Sequence, residues 1–544
     1  MPRIWAPGGA TGVAVPIYEY NAAGGYDTNG NVLGYTDTVM GAWSFGYDQL
    51  NRLVMAANGG ALLPNTAVVP APNWAANFCW AYDAFGNRTQ QGNSDQPFAA
   101  GESSSCTFTG TAYQNTWASY SAQNQMTGTN ASGNSVAPSY DAAGDVASDG
   151  KNAYLYDAEG RICAEQDVYG QGQMTGYLYD AAGNRVAKGN ISTMSCDITT
   201  NGFQQTAGYV VGASGEQLTE IDGNNNWKHT NVYAGGKQIG TYDSAGLHFY
   251  FDDPLGTRRA QANSSGVLEA VYQSLPFGDG LNQIPYVTGV TDPTENHFTG
   301  KERDTESGND FFGARYYNSA TGRWLSPDWS VKVQPVPYAK LDNPQSLNLY
   351  SYVLNNPMSK IDPDGHCDSS AGATARTKCQ EVKNLKTSDY GRGHIQSEET
   401  RARQPGKPDI TVYPDGANLP TVGYGHQVVK TDNLKMGDKI KPEQAEAWFN
   451  ANVATAEKAV TGAASKTNTQ LSQGEYDALV DLAYNAAGSL TTAKSPKLMD
   501  AMGKSDYNGM SEQLQYTKDV KGNTESGLGP RSDQREQIFK GEEP

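Results

Sequence analysis

The stretch YLYDAEGRICAEQDVYGQGQMTGYLYDAAGNRVAKGN, residues 154–190, contains one short phrase twice: a Tyr-Asp pair, two small or polar residues, a Gly and then an Arg. In each copy the aromatic side chain suits a strand end, the Asp can hydrogen-bond its own backbone, and the Gly supplies a positive φ. The phrase therefore predicts a β-hairpin whose return strand begins at the following Arg or Val. Because one hairpin buries little apolar surface, we expect neighbouring copies to pair edge to edge into one long sheet.

The phrase recurs at irregular intervals of 16 to 58 residues. The copies are YDTNGNV from Tyr26, YDQLNRL from Tyr47, YDAFGNRT from Tyr82, YDAAGDV from Tyr140, YDAEGRI from Tyr156 and YDAAGNRV from Tyr179. Composition agrees with many short strands, since 61 glycines and 32 tyrosines accompany a charged fraction of only 18%. Unrelated turns in a β domain are the alternative explanation.

Length and charge limit the function classes. The 544 residues suggest about three to four domains. With 40 basic and 58 acidic side chains, the net charge of -18 disfavours generic binding to nucleic acid or to an anionic membrane. No apolar run approaches a membrane span, and the start MPRIWAPGGATG lacks the apolar core of a classical signal peptide. Six cysteines, none at metal-ligand spacing, leave the redox compartment open.

These repeats resemble the YD repeats of the RHS family, large bacterial and toxin-complex proteins whose repeats wind into a hollow β shell. Downstream, the resemblance extends to the RHS repeat-associated core in order and spacing. The matching segments are DDPLGTRRAQANSSGVLEAVYQSLPFG, FTGKERDTESGNDFFGARYYNSATGRWLSPDW and NLYSYVLNNPMSKIDPDG. The resemblance implies a YD-repeat β region over residues 15–251, a core over residues 252–366, and a variable C-terminal effector. Because shells that enclose an effector are usually much longer, we expect a partial shell, either a fragment, a cassette or a misplaced start.

In that family the effector is often released by self-cleavage just after a DPxGL motif. Residues 362–365 here read Asp-Pro-Asp-Gly, with His366 in the Leu position, and the upstream motif reads Pro-Asp-Trp over residues 327–329 in place of DPxG. Two aspartates near a scissile bond can share a proton, as an aspartyl protease pair does. The resemblance thus nominates Asp328 and Asp362 for self-cleavage after this motif. Two structural turn aspartates are the alternative.

A new domain is expected over residues 367–544, where Lys, Glu, Ala and Gln appear at helical spacing. This part holds 22 basic and 24 acidic side chains, a net charge of -2, which leaves -16 for the first 366 residues. Apolar residues at three- and four-residue steps predict a helix from Lys441, with Pro442 at its first position. Its expected inward residues are Ala445, Trp448, Phe449, Val453, Ala456 and Val460.

A second helix is predicted to start at the capping box Ser472 to Glu475 and to stop near Gly488. Its expected inward residues are Tyr476, Leu479, Val480 and Ala483. Residues 410–429, ITVYPDGANLPTVGYGHQVV, alternate in polarity and carry Asp-Gly at residues 415–416, which predicts a β-hairpin. We therefore expect a small α+β domain, mainly helical.

The segment YPDGANLPTVGYGH, residues 413–426, resembles the active-site hairpin of phage-type lysozymes, glycoside hydrolase family 24. The family pattern is YxDxxGxxTIGYGH with a Glu upstream, and Asp415 and Thr421 keep its six-residue separation. QGEYDALVDLAYNAAG from Gln473 resembles the family's helix before an Asn-x-Gly corner, and GLGPRSDQREQIF resembles its last helix. The resemblance implies a lysozyme-like effector.

The upstream acid is Glu399 or Glu398, which stand 16 and 17 residues before Asp415. The family spacing is nine residues, so an insertion around RQPGKPD is expected to loop out. The family also has an Ile four residues before its Glu, and Ile395 therefore selects Glu399. Gly423 and Gly425 are most simply backbone requirements beside a saccharide groove. His426 is expected to be structural, and Asn485 to be a buried polar group.

Cleavage of a glycosidic bond needs a protonated acid on the leaving oxygen and a second group that manages water or the oxocarbenium-like state. In a partly apolar cleft, the pKa of Glu399 is expected to be raised. The resemblance implies an inverting reaction in which Asp415 and the Thr421 hydroxyl hold water on the far face of the sugar. No metal or cofactor is required. Cys367 and Cys379 form either a local disulfide or an idle pair of thiols.

The sequence thus predicts an antibacterial RHS effector whose C-terminal muramidase cleaves the β-1,4 bond between N-acetylmuramic acid and N-acetylglucosamine in peptidoglycan. The alternatives are a non-catalytic glycan-binding cargo on a delivery shell, and a lytic transglycosylase or chitin-type glycosidase. Because the target wall lies outside the cytosol, we expect secretion or injection into the periplasm or cell wall of a target bacterium. An immunity protein and secretion machinery are the expected partners.

Overall fold

The computed structural model comprises two compact units, residues 1–376 and residues 377–544. The first consists almost entirely of antiparallel strands, and the second is mainly helical. The predicted fold class, a mostly β region followed by a small and mainly helical α+β domain, is therefore confirmed. The structure describes residues 3–5, 16–22, 24–59, 76–96, 106, 114–131, 135–170, 172–212, 215–234, 237–288, 292, 294–328, 343–365, 369–370, 379–380, 382, 385–401, 405–415, 418–467, 469, 471–485, 490–491, 494–504, 507–515 and 528–539.

The first unit contains two large sheets in which every described strand pairs with its neighbours along the chain. The nine-stranded sheet consists of β1 Arg3–Trp5, β2 Pro16–Asn21, β3 Gly34–Asp37, β4 Gly41–Tyr47, β5 Leu53–Asn58, β6 Asn77–Tyr82, β7 Arg88–Ser94, β8 Gln114–Tyr120 and β9 Met126–Thr129. The fourteen-stranded sheet consists of β10 Ser139–Tyr140, β11 Val146–Ser148, β12 Asn152–Tyr156, β13 Ile162–Asp167, β14 Met174–Tyr179, β15 Arg185–Asn190, β16 Gln204–Val211, β17 Gln217–Asp222, β18 Trp227–Ala234, β19 Lys237–Asp243, β20 Gly246–Asp252, β21 Arg258–Asn263, β22 Leu268–Gln273 and β23 Asn282–Pro285.

Each repeat phrase forms the predicted hairpin turn through its aspartate. Asp83 Oδ1 accepts hydrogen bonds from the backbone N–H groups of Phe85 and Asn87, both at 2.9 Å, and Gly86 takes a φ of 75°. A side chain that binds its own downstream backbone replaces the hydrogen bonds that the chain loses when it reverses. The same pair of bonds recurs at Asp27, Asp48, Asp141, Asp157, Asp180, Asp222 and Asp253.

The repeat tyrosine connects one hairpin to the preceding one. Tyr82 Oη donates to the carbonyl of Leu53 at 2.8 Å, and Leu53 is the first strand residue after the preceding turn. Tyr179 makes the equivalent bond to Ile162 at 2.7 Å. This bond explains why the phrase carries Tyr, since a phenylalanine would leave the partly buried carbonyl without this donor.

The expectation of one long sheet is wrong for the described residues, because β9 and β10 do not pair. Pro138 lies directly before β10 and has no N–H group to offer to a sheet. Among the described residues between these strands, pairing is limited to an isolated β-bridge from Thr129 to Val136. The repeat region is therefore divided where a proline interrupts the backbone ladder.

An aromatic core follows the repeats. Its strands are β24 Glu302–Arg303, β25 Asp310–Phe311, β26 Tyr316–Asn318 and β27 Arg323–Trp324, followed by β28 Lys360–Ile361 and β29 Ser369–Ser370, with short 3-10 helices at Phe298–Gly300, Pro344–Leu347 and Val353–Asn355. Phe312 packs edge-on against Trp324 with ring centroids 5.0 Å apart, and Tyr317 lies 4.5 Å from Tyr352. The predicted domain limits at residues 251/252 and 366/367 stay predictions.

Four cysteines of the first unit form two disulfides, Cys79–Cys106 and Cys163–Cys196. The sequence had left their pairing open. The expected pair Cys367 and Cys379 lies outside the residues whose side chains the structure describes.

The second unit contains the predicted helices. They are α1 Asp389–Thr400, α2 Pro442–Thr467, α3 Gln473–Asn485, α4 Pro496–Lys504, α5 Tyr507–Glu512 and α6 Leu528–Phe539, with a 3-10 turn at Lys430–Asp432 and strands β30 Cys379–Gln380, β31 Asp409–Pro414, β32 Pro420–Gly423, β33 His426–Gln427 and β34 Leu471–Ser472. None of the described helices has the length and apolar composition of a membrane span.

Local signals placed two of these helices correctly. The capping box forms as predicted, because Glu475 N–H donates to Ser472 Oγ at 3.2 Å and Ser472 N–H donates to Glu475 Oε2 at 2.8 Å. The residues predicted to face inward on α2 and α3 are buried, apart from the half-buried Trp448. Gly488, the expected stop, lies outside the described residues, and α3 ends at Asn485.

Candidate active site

The predicted hairpin places Asp415 and Thr421 around one backbone segment. Asp415 Oδ1 accepts from Leu419 N–H at 2.7 Å, and Thr421 Oγ1 donates to the Leu419 carbonyl at 3.2 Å. Strands β31 and β32 pair from Tyr413 opposite Thr421. The turn between them therefore holds the Asp415 carboxylate and the Thr421 hydroxyl at the same end of β32. Gly416, the other half of the predicted bend, lies outside the described residues.

The other end of β32 turns through two glycines. Gly423 and Gly425 take φ values of 70° and 74°, which side chains rarely adopt. A Cβ atom on Gly425 would lie 2.3 Å from Oε2 of Glu399. Glu399, the predicted acid, therefore lies against the hairpin, and its carboxylate leaves no room for a side chain at residue 425.

Helix α1, which carries Glu399, is fixed at its beginning by buried carboxylates. Ser388 Oγ caps the helix by accepting from Gly391 N–H at 3.0 Å, and its own N–H donates to Asp477 Oδ1 at 3.0 Å. Just before it, Thr387 donates from both N–H and Oγ1 to Glu457 Oε1, each at 2.9 Å. Helices α2 and α3 thus hold the helix that carries the acid.

The two candidate acids have different surroundings. Glu399 Oε1 accepts from Arg531 Nη1 at 2.7 Å, while Oε2 faces Gly425. Glu398 pairs instead with Arg401, the residue directly after the helix, and 3.2 Å separates Arg401 Nη1 from Glu398 Oε2. Ile395, used to choose between them, is fully buried. Only Glu399 of the pair has a described contact with the hairpin.

Arg531 is a site residue that sequence reasoning missed. Its guanidinium also donates to the buried Asp481, from Nε at 3.1 Å and from Nη2 at 2.5 Å, and Arg535 Nε donates to Asp481 at 2.7 Å. The sequence predicts a partly apolar cleft around Glu399. In the structure the carboxylate of Glu399 contacts the guanidinium of Arg531. The sequence feature that could have indicated Arg531 is the arginine content of the last helix.

His426 has the structural surroundings that were predicted. Its ring stacks on Trp448 with centroids 4.3 Å apart, and its Nε2 lies 3.1 Å from Asp432 Oδ2. The N–H of Val429 and the contact with His426 lower the pKa of Asp432. Asn485 is half-buried, and its side-chain oxygen is buried without a hydrogen-bond partner in the described part of the chain.

Asp328 and Asp362, the two residues predicted to take part in self-cleavage, both contact Arg315 in the first unit. Arg315 Nη1 lies 3.6 Å from Asp328 Oδ1, and its Nη2 lies 3.5 Å from Asp362 Oδ2. Its Nε also donates to the carbonyl of Gly365. Burial, and next to it the charge of Asp364, raise the pKa of Asp362 well above the ordinary value. His366 and Trp329 lie outside the described residues.

A cluster of three carboxylates lies among the described residues of the first unit. Glu295, Glu302 and Asp304 bring oxygens within 4.8 Å of one another. Arg185 reaches Glu302 and Asp304 at 2.7 and 2.8 Å, and Lys188 reaches Glu295 at 3.0 Å. Burial raises the pKa of Asp304 to about 7 despite Arg185, whereas Arg185 and Lys188 outweigh burial and lower that of Glu302 to about 2. Because Arg185 and Lys188 contact all three carboxylates, these described residues form an ion-pair network.

Comparisons with known proteins find relatives of two kinds. Residues 409–535 match the family Phage lysozyme. The tRNA3(Ser)-specific nuclease WapA of Bacillus spizizenii is 29% identical over 378 residues, which cover 63% of this chain and 14% of WapA. Toxin subunit YenC2 of Yersinia entomophaga is 44% identical over 119 residues, covering 22% of this chain and 11% of YenC2.

The endolysin of Acyrthosiphon pisum secondary endosymbiont phage 1 is 32% identical over 94 residues, covering 17% of this chain and 58% of the endolysin. The chain thus spans a small part of the length of WapA and YenC2. It joins an RHS/YD-repeat region, homologous to WapA and to toxin subunit YenC2, to a C-terminal phage lysozyme domain.

Proposed function

We propose that the second unit is a muramidase that hydrolyses the β-1,4 bond between N-acetylmuramic acid and N-acetylglucosamine in peptidoglycan. The observation that carries this proposal is the contact of Glu399 with Gly425 of the lysozyme-type hairpin. A general acid needs open access to the glycosidic oxygen, and a glycine at this turn leaves room beside the carboxylate. The match to the phage lysozyme family supports the substrate class.

In this proposal Glu399 donates its proton to the leaving oxygen from Oε2, because Oε1 is held by Arg531. Asp415 and the Thr421 hydroxyl lie at the opposite end of β32 and hold a water molecule on the other face of the sugar. The proposed reaction is inverting, because water attacks the sugar directly and no covalent intermediate forms.

The test is mass spectrometry of the muropeptides that the full chain releases from purified peptidoglycan. Reducing muramic ends are expected from the wild type, and Glu399→Gln should lower the rate by about 10² to 10⁴. Glu398→Gln is the matched control, since it removes the neighbouring carboxyl without touching the hairpin, and it should retain most activity. Anhydro-muramic products would indicate a lytic transglycosylase, and binding without release would indicate a glycan-docking cargo; either result overturns the proposal.

We further propose that the RHS/YD-repeat region delivers this enzyme as an antibacterial effector, with secretion machinery and an immunity protein as partners. The similarity to toxin subunit YenC2 supports delivery, and the extracytoplasmic position of peptidoglycan requires it. Expression with a periplasmic export signal should lyse a bacterial host, whereas expression in its cytosol should not. Lysis from the cytosol alone, at equal protein level, would contradict the need for delivery.

A second candidate function is release of the effector by self-cleavage near residue 365. Arg315 supports it, because one guanidinium contacts Asp328 and Asp362 and donates to the Gly365 carbonyl. A polarised carbonyl beside a carboxyl pair is the arrangement that peptide hydrolysis by water requires. The purified wild type should yield two fragments, and Asp362→Asn and Arg315→Lys should each remain whole. An intact wild-type chain would leave these aspartates as structural turn residues.

A further inference from the structure

Arg531 is oriented by a second carboxylate that does not belong to the hairpin. Asp481 on α3 is 1% exposed and accepts from Nε and Nη2 of Arg531, so that only Nη1 reaches Glu399. Arg535, one turn further along α6, donates to the other Asp481 oxygen at 2.7 Å. Two arginines of the last described helix are thus fixed by one buried aspartate.

The charges of Glu399, Asp481, Arg531 and Arg535 balance when Glu399 is ionised. With Glu399 protonated, as the proposed reaction requires, these four residues carry one net positive charge. Burial acts to raise the pKa of Asp481, but the two arginines outweigh it and lower that pKa well below the ordinary value. Neutralising Asp481 would therefore leave a buried excess positive charge, and the Arg531 guanidinium would lose the partner that orients it.

We infer that Asp481 is a positioning residue that orients Arg531, so that the guanidinium holds Oε1 of Glu399 and leaves Oε2 free for the glycan. The inference rests on the proposed muramidase function. An arginine fork binds a carboxylate through both oxygens when nothing else restrains it. Asp481 prevents this by occupying two of the guanidinium nitrogens, which keeps the proton-donating oxygen facing Gly425.

The inference predicts a change in pH dependence. In Asp481→Asn, Arg531 is free to bind both Glu399 oxygens and to stabilise the carboxylate, so less of the enzyme holds the proton at neutral pH. The rate at pH 7 should fall about tenfold, and the alkaline limb of the rate profile should move about one unit to lower pH. Arg531→Met removes the cation and should move the same limb to higher pH.

The other charged or titratable groups around the cluster must be counted in this test. They are His394 and Glu398 on α1 and Tyr484 on α3. His394 Nε2 lies 3.8 Å from Asp481 Oδ2, so a charge on this ring would act directly on the cluster. His394→Gln in each background separates that contribution from the shift assigned to Glu399.

The experiment measures initial rates of turbidity loss of purified peptidoglycan by the full chain between pH 4 and pH 9, with thermal unfolding beside them. Glu475→Gln is the control, because it removes another buried carboxylate of α3, whose described partners include Ser472 of the capping box. That variant should lose stability but keep the position of the alkaline limb. An inactive wild type would refute the proposed function itself.

With an active wild type, an unchanged limb in Asp481→Asn, or the same displacement in Glu475→Gln, overturns the positioning role. If Asp481→Asn does not fold, Asp481→Glu replaces it, since that side chain keeps the charge but displaces the guanidinium toward Glu399. We then expect a lower rate with a smaller displacement of the limb to lower pH. An unchanged rate and limb in that variant would contradict the inference.

Discussion

At residue 425 the absence of a side chain leaves room for the Glu399 carboxylate against the hairpin. A Cβ atom there would lie 2.3 Å from Oε2, and the φ of 74° strains any other residue by about 1 to 2 kcal/mol. Gly425→Ala must therefore displace the acid from its position. Because a displacement of about 1 Å can cost about 10² in rate, we expect a hundredfold loss in peptidoglycan hydrolysis.

Gly393→Ala is the matched control for this prediction. Gly393 lies on α1, two turns before Glu399, and a Cβ atom there would meet no heavy atom within 4 Å. Alanine favours a helix interior by about 0.5 to 1 kcal/mol, so this variant should unfold at a slightly higher temperature and hydrolyse at the wild-type rate. Equal losses in both variants would show that the effect is not specific to the contact with Glu399.

Among the elements, α1 depends on a buried carboxylate of α2 just before its first turn. Glu457 accepts from N–H and Oγ1 of Thr387 and pairs with Lys386 at 3.1 Å. Burial acts to raise the pKa of Glu457, but these bonds outweigh it and lower the pKa below the usual value of 4.5. The ionised form therefore stabilises the folded state.

Since the folded-state pKa of Glu457 is the lower one, its contribution is fully present above about pH 4.5 and is lost as the pH falls below that value and through the folded-state pKa. Glu457→Gln should thus destabilise the second unit at pH 7 and have less effect at pH 3. Chemical unfolding at both pH values measures this, with Glu443→Gln as the control, because Glu443 is exposed in the first turn of the same helix. An equal destabilisation of Glu457→Gln at both values would contradict the assignment.

Elements that follow local rules could be predicted from the sequence, and long-range contacts could not. The capping box at Ser472 and the turn at Asp83 depend on residues within five positions of each other, and both form as expected. Arg531 meets Glu399 across 132 residues, and no periodicity encodes that pairing. The division of the repeat sheet was missed for a different reason, since the repeat phrase does not report an intervening proline.

For the whole molecule, the repeat region is stabilised by contacts that link successive hairpins and by links to the core. Tyr82 bonds back to Leu53, and Arg185 of β15 reaches Glu302 and Asp304 of the core. A buried cation between two carboxylates is costly to leave half-paired, so strand and core should unfold together. The fourteen-stranded sheet and the core are therefore expected to unfold in one cooperative step.

The two disulfides make that step depend on redox conditions. Cys79–Cys106 and Cys163–Cys196 close loops of 27 and 33 residues, and each should stabilise the folded state by about 3 kcal/mol. Both lie in the first unit, so a reductant should lower its unfolding temperature and leave that of the second unit unchanged. Differential scanning calorimetry of the full chain with and without reductant measures this. A variant with these four cysteines replaced by serine should no longer respond, whereas a response that persists in it would point to Cys367 and Cys379 instead.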